Sequence, residues 1–151
     1  MAAHVYECDK SELEALKKML SYDPYLDPNV IPSSKDPDKN AKITEEEKKA
    51  MEERDRIVKE NLEKLKSDKY GEVIFARQQY EIFDGALLGL DPAMSYLYLK
   101  ATDDFLAKAD EKLEHSFKTV KRAAKDVEDR VVSRVKEQED TANQGFGSIF
   151  G

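Results

Sequence analysis

Apolar positions recur at steps of three and four residues along most of the chain, and this spacing predicts helices. Leu13, Leu16, Met19 and Leu20 form one stripe behind Ser11-Glu12-Leu13-Glu14, which has the spacing of a capping box. Asp23-Pro24 closes that short helix, because the residue before a proline is pushed out of the α region. Thr44-Glu45-Glu46-Glu47 is a second capping box, with acids where the helix dipole favours them. The helix it opens runs to about Asp68 on a narrow seam of Met51, Val58, Leu62 and Leu65, flanked by Ile57. A seam this narrow suits coiled-coil-like pairing better than burial in a wide core.

Tyr70-Gly71 interrupts the pattern. Val73, Ala76, Tyr80, Phe83 and Leu87 then form the most apolar stripe, read as a central helix loosened at its end by Gly85 and Gly89. Val73-Ile74-Phe75 has strand-like composition, but no second β-rich segment reads out to pair with it. Asp91-Pro92 has the form of a helix start, followed by Met94, Leu97, Tyr98, Ala101 and Phe105. Beyond these, Leu113, Phe117, Val120, Ala124, Val127 and Val131 are spaced four, three, four, three and four apart, a heptad seam. No Gly or Pro falls between Pro92 and Gly145, so the pattern predicts a rod of about 45 residues, roughly 68 Å long. Such a rod outruns its neighbours, and its overhang from about Ala123 to Gln138 calls for a partner.

Residues 23–43 form a proline-rich arm containing Pro24, Pro28, Pro32 and Pro37. Tyr25, Leu26, Val30 and Ile31 suggest that the arm lies against something, and its three Asp-Pro pairs favour successive turns. The expected fold is therefore all-α: an elongated helical bundle or hairpin with a very long C-terminal helix and a Pro-rich N-terminal arm. Residues 1–139 make one helical domain, and residues 140–151 a flexible tail in which Gly145, Gly147 and Gly151 oppose helix.

Charged residues make up 38% of the chain, and its net charge of −7 opposes general nucleic-acid binding. Lys118, Lys121, Arg122 and Lys125 share one face if helical, which reads as a solvated helix face. Cys8 is the only cysteine, which rules out an intrachain disulfide and a CxxC site. With Glu7 and Asp9 beside it, its thiolate is disfavoured. No apolar stretch approaches the ~20 residues of a membrane span, and Met1 to Lys10 lacks the pattern of a secretory signal. A cytoplasmic location is the expectation.

Asp36, Asp38, Asn40 and Glu47 resemble the first, third, fifth and twelfth ligand positions of the EF-hand calcium loop. In that resemblance Lys42 offers a backbone carbonyl and Ile43 is the apolar residue. It implies a calcium site, and calcium is the one cofactor suggested. Ala41 stands where the family has glycine, and Pro28 and Pro32 oppose an entering helix. A capped Asp-Pro turn accounts for the same acids without a cation. His115, with Lys118 three residues on, is similar to phospho-acceptor helices of two-component signalling, but Ser116, Thr119 and Val120 depart from those motifs. Neither His4 nor His115 completes a Glu-x-x-His carboxylate-metal motif.

No compact catalytic motif stands out, so the expected function is non-catalytic. The chain reads as an adaptor, accessory subunit or small scaffold, joining a protein partner or a second copy of itself. Phe117, Val120, Ala124, Val127 and Val131 on the rod, with Phe146, Ile149 and Phe150 in the tail, are the expected partner-binding residues. A calcium-responsive module built on residues 36–47 is the alternative.

Overall fold

The computed structural model describes residues 1–32 and 44–150, with side chains as far as residue 142. It corrects the all-α bundle: the chain is mixed α/β. Strands β1 (Ala2–Asp9), β2 (Gln79–Asp84), β3 (Met94–Ala101) and β4 (Lys121–Arg122) form an antiparallel sheet in the order β2-β3-β1-β4. Helices α1 (Leu13–Ser21), α2 (Glu45–Ser67), α3 (Asp103–Ser116) and α4 (Lys125–Phe150) complete the fold. Leaving α2 and α4 aside, the order is the β-α-β-β-α-β of the split βαβ motif.

The sheet comes from strongly β-forming segments whose apolar residues point both ways. In β3, Tyr96, Leu97, Tyr98 and Leu99 are all buried, because helices cover both faces of the sheet. A run buried on both sides has no period of two, and steps such as Met94, Leu97, Tyr98 and Ala101 imitate a helical stripe. Its partner β1 lies far away in sequence, pairing from Ala2↔Ala101 to Asp9↔Met94. The stripe from Val73 to Leu87 is likewise no helix, but a 3₁₀ turn at Phe75–Arg77, β2, and a second 3₁₀ turn at Gly85–Leu88. The Asp91 carboxylate does accept a backbone N–H, from Ala93 at 2.9 Å, but the turn it forms leads into β3 instead of a helix. Gly89, at φ 67°, supplies the left-handed residue this connection needs.

Two cores flank the sheet. On one face, Tyr6, Cys8, Leu97, Leu99 and Ala101 meet Leu16 and Leu20 of α1 and Leu106, Ala109 and Leu113 of α3. On the other, Val5, Phe83, Tyr96 and Tyr98 meet Leu88 and, from α4, Val131 and Val135. Three layers result.

The long rod is also corrected: its span holds β3, α3, β4 and the start of α4, and the two helices lie on opposite faces of the sheet. α3 stops at Ser116, where the Glu12 carboxylate accepts the backbone N–H groups of Lys118 at 3.1 Å and Thr119 at 2.6 Å. The Thr119 hydroxyl accepts the Asp9 N–H at 3.2 Å, and β4 then pairs with Tyr6 and Glu7 of β1. These contacts give the chain a non-helical alternative that no local breaker announces. α4 then crosses the second face and continues through Gly145 and Gly147 to Phe150, past glycines that read as a stop.

The local expectations at α1 and α2 fare differently. Thr44 caps α2 by accepting the Glu47 N–H at 3.2 Å, and the helix ends at Ser67. At the first helix the cap is Asp9, which accepts from the Ser11 N–H at 2.9 Å ahead of a 3₁₀ turn; Ser11 does not cap. Asp23 and Asp27 each accept a backbone N–H two residues on, making the first two turns of the arm. The third Asp-Pro pair lies outside the described residues.

Candidate functional site

The feature with the plainest functional content is α2. Its 23 residues span about 35 Å, and none of them is buried. Among the described residues, it is the one α-helix without a buried side chain. Its seam is formed, however: Met51 is 42% exposed and Ile57 36%, while Val58, Leu62 and Leu65 are half-buried. The arm accounts for that partial cover. Arg54 Nε donates to the Pro32 carbonyl at 2.7 Å, and Asn61 Nδ2 to the Val30 carbonyl at 2.9 Å. The arm is thus a strap along one shoulder of α2.

At its far end α2 is joined tightly to the body. A Cβ on Gly71 would come within 1.9 Å of the Leu65 carbonyl oxygen, so this turn closes only with glycine. Lys112 of α3 fastens the same turn, donating to the Val73 carbonyl at 3.0 Å and the Tyr70 carbonyl at 3.5 Å. Burial holds its amine below the usual lysine range, partly offset by Asp68. Beside this junction lies a cleft of about 690 Å³, bordered by Lys18, Tyr22, Leu65, Tyr70, Lys112 and His115. The His115 ring lies 6.0 Å from that of Tyr70, at a tilt of 40°. The Lys112 ammonium is committed to backbone carbonyls, so it braces the junction and is not a free nucleophile.

The tightest polar cluster lies at the β1–β4 edge. Asp110 Oδ1 lies 3.1 Å from His4 Nδ1 and also accepts the Tyr6 hydroxyl. Arg122 Nη1 is 3.0 Å from His4 Nδ1 and 3.3 Å from Nε2, so the guanidinium lies across the imidazole ring. Arg122 Nη2 pairs with Glu128 at 3.1 Å, and Glu128 accepts the Val5 N–H at 3.3 Å. Burial, then the Asp110 contact, pushes the Tyr6 phenol far above its ordinary value. Tyr6 is therefore a fixed donor. The cluster joins β1, α3, β4 and α4 as a clasp, its groups paired with one another except Arg122 Nε, which is buried and has no hydrogen-bond partner among the described residues.

The expected site residues fall in separate places. Val120 is buried in the first core and Val131 in the second, on opposite sides of the sheet. Phe117 packs at the edge of the first core, Val127 at the edge of the second, and Ala124 is exposed. They do not form one outward stripe. Phe146, Ile149 and Phe150 lie in the last turns of α4, with side chains outside the described residues. Asp36, Asp38 and Asn40 also lie outside them, and Glu47 is exposed in the first turn of α2. Among the described residues, no three His, Cys, Asp or Glu side chains are grouped to hold a metal. The basic quartet is split: Lys118 is in a loop, Lys121 pairs with Glu7, and Arg122 belongs to the clasp. Cys8 is buried, and desolvation, then Glu12 and Asp9, pushes its thiol up to about 11.

Among the described residues no helix is long and apolar enough to cross a membrane. No protein-family model, curated protein or solved structure matches the chain.

Proposed function

We propose that the protein is a non-catalytic interaction or assembly protein, an adaptor or accessory subunit that presents α2 to a protein partner. The observation that carries this reading is that α2 has an apolar seam and none of its 23 residues is buried. The other α-helices bury apolar residues against the sheet; α2 is capped, strapped along one shoulder, joined to the body at its far end and, among the described residues, otherwise left open. Its mechanism is burial of the seam, with the flanking Lys and Glu residues selecting the partner by charge register. Phe146, Ile149 and Phe150 serve as a second contact in this reading. The setting is the cytoplasm, where a lone thiol such as Cys8 stays reduced.

The test is affinity purification from the native source with the full chain and with a Met51→Lys/Ile57→Lys variant. Both positions are exposed, so the variant keeps its fold, checked by circular dichroism. The parent retains a stoichiometric partner, or a second copy of itself, that the variant loses. Retention of the same proteins by both would remove α2 from the account.

A further inference from the structure

The charge pattern on α2 selects its partner's chemistry. Met51, Val58 and Leu65 recur every seven residues, which makes them d positions of a heptad, with Lys48, Asp55 and Leu62 at a. The strap lies on the shoulder of Arg54 and Asn61, the g positions. The opposite shoulder carries the e positions Glu45, Glu52, Lys59 and Lys66, all exposed and, among the described residues, none in an ion pair.

We infer that α2 pairs antiparallel with the α2 of a second copy of this chain; the inference rests on α2 being the docking element. In an antiparallel pair the e positions of the two helices face each other. Sliding the helices until Met51 meets the partner's Leu62 sets Glu52 beside the partner's Lys59 and Glu45 beside the partner's Lys66, each twice by symmetry. Parallel pairing instead sets each g position beside the e position five residues on. It would place Glu47 against Glu52 and Arg54 against Lys59, like charges in both cases. In the antiparallel pair both straps fall on the flank where g positions face each other and leave the e flank clear, whereas a parallel pair places one strap on each flank. Lys48 and Asp55 are polar residues at a positions, which makes the pair a weak, reversible one.

Sedimentation equilibrium on the full chain at low salt, with Glu52→Lys, Lys59→Glu and their equimolar mixture, tests this directly. The parent self-associates, and each variant alone associates about tenfold more weakly because two attractive contacts become repulsive. Mixing the variants restores dimer, since positions 52 and 59 then carry opposite charges wherever they face each other across the mixed pair. If pairing were parallel, Glu52→Lys alone would strengthen it by relieving Glu47, and that result overturns the orientation. A parent that stays monomeric to near-millimolar concentration overturns self-pairing altogether. Such a monomer could still hold a partner that the Met51→Lys/Ile57→Lys variant loses, so the two readings fail separately.

Discussion

Substituting Val131 by alanine separates a helix folded onto the sheet from a rod awaiting a partner. Val131 is fully buried in the second core, among Val5, Tyr98 and Val135. The substitution removes two methyl groups, about 1.6 kcal/mol at roughly 0.8 kcal/mol for each buried group. The cavity left between helix and sheet adds to this, because a helix pinned by the Glu128–Arg122 pair relaxes only in part. The total is about 2–3 kcal/mol. At about 2–4 °C per kcal/mol for a chain of this size, the melting temperature falls by about 5–10 °C. Urea unfolding followed by circular dichroism should show a lower midpoint with an unchanged slope, even in dilute protein where association is absent. Val58→Ala on α2 should stay within about 0.5 kcal/mol of the parent under the same conditions. A Val131→Ala chain as stable as the parent would refute the docking of α4 on the sheet.

Two further outcomes follow from the titrating and hydrogen-bonded groups. Tyr6 holds its proton above the ordinary 10.0 and Cys8 above 9.0, so the unfolded chain loses these protons first. Their contribution to stability is complete below about pH 9 and declines above it, by about 1.4 kcal/mol per pH unit for each group inside its window. Tyr6→Phe should flatten the limb above pH 10 while lowering stability at neutral pH by roughly 1.5–3 kcal/mol, the range for a bond to a charged acceptor; an unchanged alkaline limb would exclude Tyr6 as its source. Glu12→Ala should raise the exchange rates of the Lys118 and Thr119 amides by about tenfold or more in nuclear magnetic resonance, leaving those of β3 unaltered. Unchanged rates at those two amides would show that Glu12 does not end α3.

The parts of the fold legible in the sequence are those that local chemistry decides. Thr44 with Glu47, and Asp23 before Pro24, act over a few residues, and α2 and the stop of α1 follow from them. The sheet was not legible from period because its central strands are buried on both faces, and because β1 finds β3 only across most of the chain. One signal was present: Tyr96-Leu97-Tyr98-Leu99 is rich in strand-forming aromatics, and Val5-Tyr6 offered the partner it needed. The break between α3 and α4 left less trace. Phe117, Val120 and Ala124 continue the heptad steps of both helices, and the groups that end α3 come from Glu12, more than a hundred residues earlier. The same steps joined residues that the fold sets on opposite faces of the sheet. Val131 covers the sheet, and the exposed seam is the narrower one on α2, whose helical spacing the pattern did show.

Native-state hydrogen exchange on the full chain compares α2 with the sheet most directly. In dilute protein the amides of residues 51–66 should exchange far faster than those of β1 and β3, because α2 opens without disturbing either core. Raising the concentration, or adding a partner that the chain retains, should slow residues 51–66 and leave the strands unchanged. If α2 exchanges as slowly as β3 in dilute protein, its seam is already packed within one chain and is no docking surface.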